Sequence, residues 1–334
     1  MLRTTDRRRS RLLAAAAVLP LLAGLAACSS ASADGDSDTD LQAAAKKAGL
    51  EVNTTANQDR IHTTKDDAAI ALLPAAAKDK DTFTVAVSAY TAPLAFLADD
   101  EKTPIGNEPD IAQLVADALG KKLVLQVTAW EDWPLALSSG KVDAVISNVT
   151  VTEERKETID FSSYRNDQLG WLVTTKNTNV PAKITEPADV AGLTVAVGSG
   201  TNQEKILLAW DKQNQAAGLK PVKIEYYQND ADTILALQSG RIDASFGPNA
   251  TAAYKAAVDP DTFKVIGTLN GGWPDKAQIA VGTKKGSELA PAVTAALNHA
   301  FDDGSYAKVL ERWGLTAESI EKSETNPPGL PKQS

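Results

Sequence analysis

The residues best suited to bind a small anion lie in the stretch SNVTVTEER, which begins at Ser147. Ser147, Asn148 and Thr150 carry short polar side chains, and Arg155 offers a planar pair of N–H donors that matches a carboxylate. Thr152 is predicted to cap the turn at Arg155. Two interpretations remain open from these residues alone: a carboxylate-binding loop, or a surface ion pair between Arg155 and the glutamates beside it.

A second stretch with anion-binding character is GSGTNQ, from Gly198 to Gln203. It follows a predicted strand and precedes a predicted helix, with Thr201 and Asn202 at the helix start. A loop of small residues at such a joint exposes backbone N–H groups and the positive end of the helix, which suits a carboxylate or a phosphate. A plain tight turn with a helix cap explains the same spacing.

Catalytic and metal-binding residues are scarce in this chain. It has two histidines, His62 and His299, and one cysteine, Cys28. A zinc site of the usual ligand types needs more of them, so we expect neither a metal nor a cofactor. The sequence patterns of serine hydrolases, P-loop enzymes and zinc peptidases are absent. Gly198 and Gly200 lack the spacing of a dinucleotide-binding fingerprint. The sequence therefore predicts binding and not catalysis.

An internal repeat directly precedes the first of these stretches. The segment LALSSGKVDAVI, residues 135–146, recurs one hundred residues later as LALQSGRIDASF, residues 235–246, with seven of the twelve positions identical. In each copy a helical pattern ends at a glycine, Gly140 or Gly240, and a short buried strand comes next. Two similar α/β lobes with a cleft between them are predicted, and chance similarity of two helix–strand joints is the alternative.

The order of predicted elements sets the domain boundaries. Strands and helices alternate from Phe83 onward, which is typical of a parallel sheet with crossover helices. Lobe 1 is predicted to span residues 81–176 together with 276–320, and lobe 2 residues 177–275. Residues 28–80 begin with a small, acidic sequence that cannot form a core, and they are predicted to be a flexible tether. Residues 321–334 are predicted to be a loose tail.

The N-terminal residues are typical of an exported protein. Five arginines lie among the first eleven residues, and an apolar run from Leu12 to Ala27 leads to Cys28. This pattern predicts a signal peptide, residues 1–27, because the apolar run is short for a membrane span. The sequence LAAC resembles a bacterial lipobox, so Cys28 is predicted to be acylated and to hold the chain on the outer face of the cell membrane. An ordinary signal peptide beside a cysteine is the alternative, and the export route stays open.

The net charge limits the partners of the exported chain. The full chain carries a formal charge of −9, and removal of residues 1–27 takes away five arginines and one aspartate and leaves −13. An acidic protein is a poor ligand for nucleic acid or for anionic lipid. We therefore expect no nucleic-acid partner and membrane contact through the lipid alone. We also expect the protein to be a monomer.

A succession of motifs resembles one known family. The motifs are Tyr90 and Pro93, GNEPDIAQLVADALGKKL (106–123), Trp130, the repeat with its TEERK end, DFSSY (160–164), VGSGTNQE (197–204) and ERWGL (311–315). In this order they resemble the bacterial extracellular solute-binding proteins of ABC importers, family 3, the polar amino acid type. The resemblance covers about Asp81 to Leu315.

The resemblance implies a fold and a set of ligand contacts. It implies two lobes, each a mostly parallel sheet with flanking helices, joined by two crossing strands and closing by hinge motion. Arg155 would pair with the ligand's α-carboxylate, and Tyr90 would cover its apolar part. The expected ligand-binding residues are Arg155, Thr150, Asn148, Ser147, Tyr90, Thr201, Asn202 and Asn249. The implied partners are a small-molecule ligand and a membrane permease with its ATPase.

One position departs from the family pattern. In the family the second repeat strand usually ends in an acidic residue that receives the ligand's ammonium, and Pro248 stands there in this chain. We expect a carboxylate-bearing ligand, such as an amino acid whose amine is modified or is held elsewhere, with Glu108, Asp230 and Asp232 as candidate replacements. Two other functions remain open: an enzyme of the cyclic dehydratase type on the same fold, and a chemosensory binding protein.

Overall fold

The helices and strands of this chain alternate as the sequence predicts, and the computed structural model describes them for residues 52–332. The strands are β1 (Thr82–Val87), β2 (Phe96–Leu97), β3 (Pro104–Ile105), β4 (Lys122–Val127), β5 (Ala144–Val145), β6 (Ile159–Asn166), β7 (Gln168–Thr174), β8 (Thr194–Val197), β9 (Lys223–Tyr226), β10 (Ala244–Pro248), β11 (Phe263–Asn270) and β12 (Gln278–Lys284). The helices are α1 (Asp67–Ala71), α2 (Ala75–Lys78), α3 (Asn107–Ala118), α4 (Trp133–Ser138), α5 (Asn202–Ala216), α6 (Asp230–Gln238), α7 (Asn249–Val258), α8 (Ala290–Asp302) and α9 (Ser305–Arg312), with short 3₁₀ helices at Arg155–Glu157, Pro187–Val190 and Thr316–Glu318. The predicted signal peptide, the predicted acylation of Cys28 and the first part of the predicted tether lie outside the described residues.

Two five-stranded sheets define two lobes. The strand order is β4-β1-β5-β12-β6 in lobe 1 and β11-β7-β10-β8-β9 in lobe 2. In lobe 1, β1 is parallel to β4 and β5, whereas β12 is antiparallel to β5 and β6. In lobe 2, β8 is parallel to β9 and β10, whereas β7 is antiparallel to β10 and β11. The two sheets therefore have the same order of parallel and antiparallel strands, and the predicted pair of α/β lobes is confirmed.

The chain crosses between the lobes twice. Strand β6 ends at Asn166 in lobe 1 and β7 begins at Gln168 in lobe 2, so the first crossing lies at Asp167. The second crossing runs between Asn270 and Gln278. The prediction that lobe 1 extends to residue 176 was therefore wrong, because β7 pairs with β10 and β11. Strand patterns identify a strand but do not say which sheet it joins.

The core of lobe 1 is centred on α3. This helix packs against β1, α8 and α9, and its apolar residues Ile111, Leu114 and Val115 are fully buried. It begins after Gly106, which has a φ of 123°. A side chain at Gly106 would place its Cβ 2.4 Å from the carbonyl oxygen of Leu94. Only glycine fits there, and the close approach fixes the start of α3 beside the cleft.

The core of lobe 2 is built from aromatic rings. The ring of Trp171 stacks on that of Phe246, with centroids 3.9 Å apart, and Trp210 stacks at 5.8 Å on Trp171. Trp273, on the second crossing, meets Trp210 edge-on at 5.1 Å.

No helix in residues 52–332 combines the length and the hydropathy of a membrane span.

The structure corrects the predicted tether for residues 52–80, which pack on lobe 1. The guanidinium of Arg60 pairs with the buried carboxylate of Asp110 and donates a second bond to the carbonyl of Pro104 at 2.8 Å. Ala69 and Leu73 are buried in the lobe 1 core. The composition of this segment is poor in large apolar residues, so its attachment through a buried ion pair has no strong sequence signal.

The structure also corrects the predicted loose tail, as far as residue 332. The N–H of Leu330 donates to the carbonyl of Val151 at 3.0 Å, and the N–H of Glu153 donates to the carbonyl of Leu330 at 2.8 Å. Ser323 is buried, and the side-chain amide oxygen of Asn326 accepts the N–H of Phe161 at 2.9 Å. The tail therefore runs along lobe 1. Backbone hydrogen bonds hold it, and composition does not reveal them.

Candidate functional site

The two repeats form the same joint at the edge of each sheet. The carboxylate of Asp143 accepts the N–H of Thr84 at 2.9 Å, and the N–H of Asp143 donates to the carbonyl of Thr84 at 2.8 Å. Asp243 makes the same two bonds with Thr194, also at 2.9 and 2.8 Å. These aspartates are structural, because they fix the strand that comes after each helix. The joints bring the ends of β5 and β10 to the cleft between the lobes.

A cavity of about 190 Å³ lies in this cleft and is lined by both lobes. The predicted residues that line it are Tyr90, Ser147, Asn148, Thr150, Arg155, Thr201 and Asn202. Lobe 1 supplies the first five and lobe 2 the other two. The structure thus brings together seven residues that the sequence separates by up to 112 positions. Asn249 does not line the cavity, although Pro248 does.

Arg155 begins the 3₁₀ helix that comes after the lobe 1 loop. Its N–H donates to the hydroxyl of Thr152 at 3.0 Å, so Thr152 caps this turn. Its guanidinium donates to the carbonyl of Thr150 at 2.9 Å and, across the cleft, to that of Gly200 at 3.4 Å. The ring of Trp130 lies 5.7 Å from the guanidinium carbon, within cation–π distance. Burial lowers the pKa of Arg155 from its usual value, although Asp167 opposes this.

The surface ion-pair interpretation of Arg155 is not what the structure contains. Glu154 pairs instead with Lys205 across the mouth of the cleft, and Glu153 pairs with Lys156 at 2.8 Å. Within residues 52–332 no carboxylate is hydrogen-bonded to Arg155 or in an ion pair with it. A guanidinium has five N–H donors. Those that the two carbonyls leave free are available to a ligand.

The short polar residues of the lobe 1 loop are partly used by the protein itself. The hydroxyl of Thr150 donates to the carboxylate of Asp167 at 2.7 Å, and the hydroxyl oxygen of Ser147 accepts the N–H of Ser88 at 2.9 Å. The side-chain oxygen of Asn148 accepts from Arg165. The hydroxyl of Ser147 also donates to the carbonyl of Ala86 at 3.5 Å, so both hydroxyl groups keep only acceptor capacity for a ligand. These side chains hold the loop as well as lining the cavity.

A buried group of charges lies beneath this loop. The guanidinium of Arg165 pairs with Glu108 at 3.1 Å and with Glu318, and the hydroxyl of Tyr164 donates to Glu108. Burial raises the pKa of Glu108, while Arg165 and Tyr164 oppose the rise. Burial likewise raises the pKa of Asp167 to about 6 against the Thr150 hydroxyl and Arg165. We name Arg165, Glu108, Glu318 and Asp167 the buried charge cluster.

Most of the buried charge cluster has only a weak signal in the sequence. The signal lies in Arg165 and Asp167, two charged residues that come close together at the end of a strand whose central residues are buried. A charge in such a strand needs a buried partner. Glu318 is remote in sequence and lies in a polar segment, so nothing local points to it.

The lobe 2 side of the cavity is the start of α5. The hydroxyl of Thr201 donates to the carbonyl of Gly198 at 2.6 Å, and its oxygen accepts the N–H of Glu204 at 3.2 Å, which caps the helix. Gly200 has a φ of 72°, a conformation that favours glycine. The side-chain amide nitrogen of Asn202 is buried and has no partner among the described residues. The loop that carries Arg155 and the start of α5 therefore meet the same cavity.

The part of the cavity wall formed by the end of β10 and the start of α7 differs from the expected one. Strand β10 ends at Pro248, and α7 begins at Asn249, whose side-chain oxygen lies 3.0 Å from the position of a Cβ on Gly170. Asn249 therefore packs against β7, and it leaves the set of candidate ligand contacts. Of the candidate acidic replacements, Glu108 and Asp230 line the cavity, whereas Asp232 bonds to Asn229 at the start of α6.

Within the part of the chain that the structure describes, no cluster of three or more histidine, cysteine, aspartate or glutamate side chains is arranged to hold a metal ion. The charged side chains among the described cavity residues are Arg155, Glu108 and Asp230. Burial shifts the pKa values of Glu108 and Arg155 in the directions that favour their neutral forms.

Comparisons with known proteins agree with this geometry. The model of the family described as bacterial extracellular solute-binding proteins, family 3, matches residues 83–316. The L-cystine-binding protein TcyJ of Escherichia coli (strain K12) is 31% identical over 238 residues, which cover 71% of this chain and 84% of that protein.

Two solved structures share the fold and some sequence. An ancestral arginine-binding protein bound to arginine has a TM-score of 0.60 and 30% identity and covers 70% of this chain and 98% of its own. An ancestral amino acid-binding protein, described as a precursor of cyclohexadienyl dehydratase, has a TM-score of 0.59 and 28% identity over 70% of this chain and 95% of its own.

Proposed function

The chain belongs to the bacterial extracellular solute-binding proteins of family 3, and we propose that it captures an amino acid or a related carboxylate-bearing compound by hinge closure for an ABC importer. One observation carries the proposal. Arg155 is the single cationic side chain among the described residues that line the cavity, and its guanidinium bonds only to carbonyl groups there. A carboxylate is the group that fits this arrangement best.

The surroundings of Arg155 favour an anion held by both lobes. The start of α5 contributes the positive end of a helix dipole from lobe 2, although Thr201 accepts one N–H group there and Glu204 adds a negative charge to the first turn. The carbonyl of Gly200 lies 3.4 Å from the guanidinium of Arg155, so the two lobes meet at this end of the cavity. A carboxylate here would contact both lobes at once. Such a ligand favours the closed form, because some of its contacts exist only there.

The crossings give the lobes a place to hinge. The N–H of Asp167 donates to the carbonyl of Ala277 at 2.9 Å, and the N–H of Gly271 donates to the carbonyl of Asp167 at 2.8 Å. The two crossings are thus bonded to each other, and a rotation about them would move lobe 2 as a body. The hydroxyl of Thr150 donates to the carboxylate of Asp167, so this bond connects the first crossing to the loop that carries Arg155.

We propose a binding protein and not an enzyme. The relatives are binding proteins associated with transport, although one structural neighbour is described as a dehydratase precursor. A dehydratase needs a general acid–base group that faces its substrate. Both carboxylates that line the cavity have cationic partners instead, Glu108 with Arg165 and Asp230 with Lys255. Unchanged recovery of a bound cyclic acid after incubation would distinguish the two functions.

The setting of the protein is proposed from its first residues. We propose that residues 1–27 direct export, that Cys28 is acylated and that the folded body stands on the outer face of the cell membrane as a monomer. A membrane permease and an ATPase would receive the ligand. Residues 29–51 remain as the proposed tether, since the chain from residue 52 onward packs on lobe 1.

The test of the proposed function is ligand binding by Arg155→Ala in the exported chain. Ligands are first sought by thermal shift among amino acids, their N-acetyl forms and amine-free carboxylic acids, because a ligand of the folded state raises its melting temperature. Calorimetry then compares the wild type, Arg155→Ala and the control Arg241→Ala, an exposed arginine of the lobe 2 repeat. We expect Arg155→Ala to weaken binding by about 30-fold or more, since it leaves a buried carboxylate unpaired.

The control separates a lost contact from a general effect of charge. Arg241→Ala removes the same charge from the protein and should bind like the wild type. Equal affinity of the wild type and Arg155→Ala for every ligand found would contradict the assignment of the carboxylate site.

A further inference from the structure

The part of the cavity wall that strand β10 reaches ends in the first turn of α7. This helix has ten residues, from Asn249 to Val258. Its N-cap is Pro248, which provides no side-chain cap, and its first turn has no acidic residue. The first N–H groups of a helix have no partner within the helix, and they give its start a partial positive charge. The wall that usually binds an ammonium in this family therefore ends, in this chain, in a helix start that no acidic side chain caps.

Thr251 supplies a second and independent observation. It lies in the first turn of α7, lines the cavity and is only 8% exposed. Its hydroxyl has no hydrogen-bond partner among residues 52–332. The same holds for the hydroxyl of Ser88 and the amide nitrogen of Asn202, which also line the cavity. Buried polar atoms are rarely left without partners, so these three favour a ligand that carries hydrogen-bonding groups.

The charges that line the cavity leave no anion for an ammonium group. The two carboxylates among the described lining residues are Glu108 and Asp230. Glu108 is paired with Arg165 at 3.1 Å, and Asp230 with Lys255 of α7 at 2.8 Å. Arg155 has no carboxylate partner in the described chain. The lining side chains therefore offer the ammonium of a zwitterion no carboxylate without a cationic partner, whereas the cation Arg155 has no anionic partner among the described residues.

We infer that the first turn of α7, with Thr251, receives a second hydrogen-bond acceptor of the ligand, either a carboxylate or an acyl carbonyl. The ligand class is then carboxylic acids without a free α-ammonium group, such as N-acyl amino acids or dicarboxylic acids. This inference rests on the proposed function, in which Arg155 binds the first carboxylate.

The inference explains why a proline can occupy position 248. An aspartate at a helix N-cap accepts N–H groups of the first turn and cancels their charge. Pro248 accepts nothing through its side chain, so these N–H groups stay available to the ligand. Lys255, further along α7, adds a positive charge to the same helix, although Asp230 compensates it. An acceptor on the ligand thus takes the place of the absent carboxylate of the protein.

Matched compounds provide the test. The exported chain is screened by thermal shift and calorimetry against sets that share a side chain: L-glutamine, N-acetyl-L-glutamine and glutaramic acid, and corresponding sets for leucine, glutamate and arginine. We expect the tightest compound to be N-acetylated or amine-free, at least tenfold tighter than its free amino acid. A free amino acid that binds more tightly than both its matched forms, or no binding by any N-acetylated or amine-free compound, would overturn the inference.

Two variants assign the effect to α7. Thr251→Val keeps the shape and removes a hydroxyl that has no partner among the described residues, so the ligand-free protein should melt at the same temperature or higher, while the preferred compound binds about tenfold more weakly. Pro248→Asp should reverse the preference toward the free amino acid. Unchanged affinity in Thr251→Val together with unchanged preference in Pro248→Asp would overturn the inference.

These outcomes remain distinct from failure of the proposed function. If Arg155→Ala still binds the preferred compound like the wild type, the carboxylate site is wrong. If Arg155→Ala loses binding while the α7 variants do not change the preference, the carboxylate site stands and only the acceptor site at α7 fails.

Discussion

The two lobes share one kind of joint, but the chain leaves that joint differently in each lobe. Asp143 in lobe 1 and Asp243 in lobe 2 make identical pairs of bonds to Thr84 and Thr194, so the strands after both repeats start from equivalent places. In lobe 1 the strand then enters a polar loop that leads to Arg155. In lobe 2 the strand passes through Pro248 directly into α7. The duplicated scaffold thus delivers different chemistry to the two walls of one cavity.

The support behind each wall differs as well. The lobe 1 loop rests on the buried charge cluster, in which Arg165 contacts Glu108, Glu318 and Asn148. The lobe 2 strand β10 rests on aromatic stacking through Phe246. Buried charges respond to pH and to the loss of a partner, whereas stacked rings do not titrate. We therefore predict that the stability of lobe 1 depends on pH and on each charged partner in the cluster. The aromatic support of β10 should not respond to pH.

The largest expected effect is that of Arg165→Met. It leaves Glu108 and Glu318 buried without their cationic partner, which costs about 3–5 kcal/mol in the free energy of unfolding. Urea unfolding of the ligand-free protein measures it, with Lys223→Met, an exposed lysine of lobe 2, as a control that should be nearly neutral. A variant as stable as the wild type would mean that the two glutamates are neutral in the folded state, and the contrast between the lobes would then lose its basis.

The next effect is the pH dependence that Asp167 gives to the fold. Burial raises its pKa from 3.8 to about 6 in the folded state. The folded protein therefore binds this proton more tightly than the unfolded chain, so stability decreases as pH rises from about 4 to 6. Above pH 6 the loss of stability that comes from ionising the buried Asp167 is constant at about 3 kcal/mol.

Asp167→Asn isolates this group, since asparagine does not titrate and its amide oxygen still accepts the Thr150 hydroxyl. The variant should exceed the wild type in free energy of unfolding by about 3 kcal/mol at pH 7 and match it near pH 4. Glu108 titrates in both proteins, so its contribution cancels in the difference. A difference that does not vary with pH would exclude Asp167 as the source.

The fold and the lobe 1 loop could be predicted from the sequence because their signals are local or repeated. The repeat and the strand and helix patterns identified both lobes, and the residue types at Asn148, Thr150 and Arg155 indicated the loop that lines the cavity. The prediction that Asn249 contacts the ligand was wrong. The direction of a side chain in the first turn of a helix depends on the sheet against which the helix packs, and the Asn249 side chain packs against Gly170 of β7.

The contacts that the sequence does not reveal are long-range. Glu318 meets Arg165, and Leu330 meets Val151, across more than 150 positions. Such pairs have no spacing that a periodicity could detect. Thr251 was missed for a different reason: its importance arises from the lack of a partner for its hydroxyl among the described residues, which only the packed structure reveals.

A smaller effect tests whether the two joints are truly equivalent. Asp143→Ala and Asp243→Ala each leave the N–H of one threonine, Thr84 or Thr194, without its side-chain acceptor. Each should lower the free energy of unfolding by about 1–3 kcal/mol, because a partly buried donor loses its partner. Asp143 also pairs with the exposed Lys80, which contributes at most about 1 kcal/mol, so chemical unfolding of both variants should still give values within about 1 kcal/mol of each other. A clearly larger loss at one joint would mean that the lobes use the repeat differently.

The smallest expected effect concerns the tail, which lies on lobe 1 and has no counterpart in the described part of lobe 2. Leu330→Pro removes the N–H that donates to Val151 at 3.0 Å, and Leu330→Ala keeps it, so the pair separates the backbone bond from the side chain. We expect Leu330→Pro to cost about 1 kcal/mol. Amide hydrogen exchange should become faster at residues 150–156 and stay unchanged at residues 248–254. Equal exchange of the lobe 1 loop in both variants would mean that the buried charge cluster alone holds it, and the tail would then be a passive covering of lobe 1.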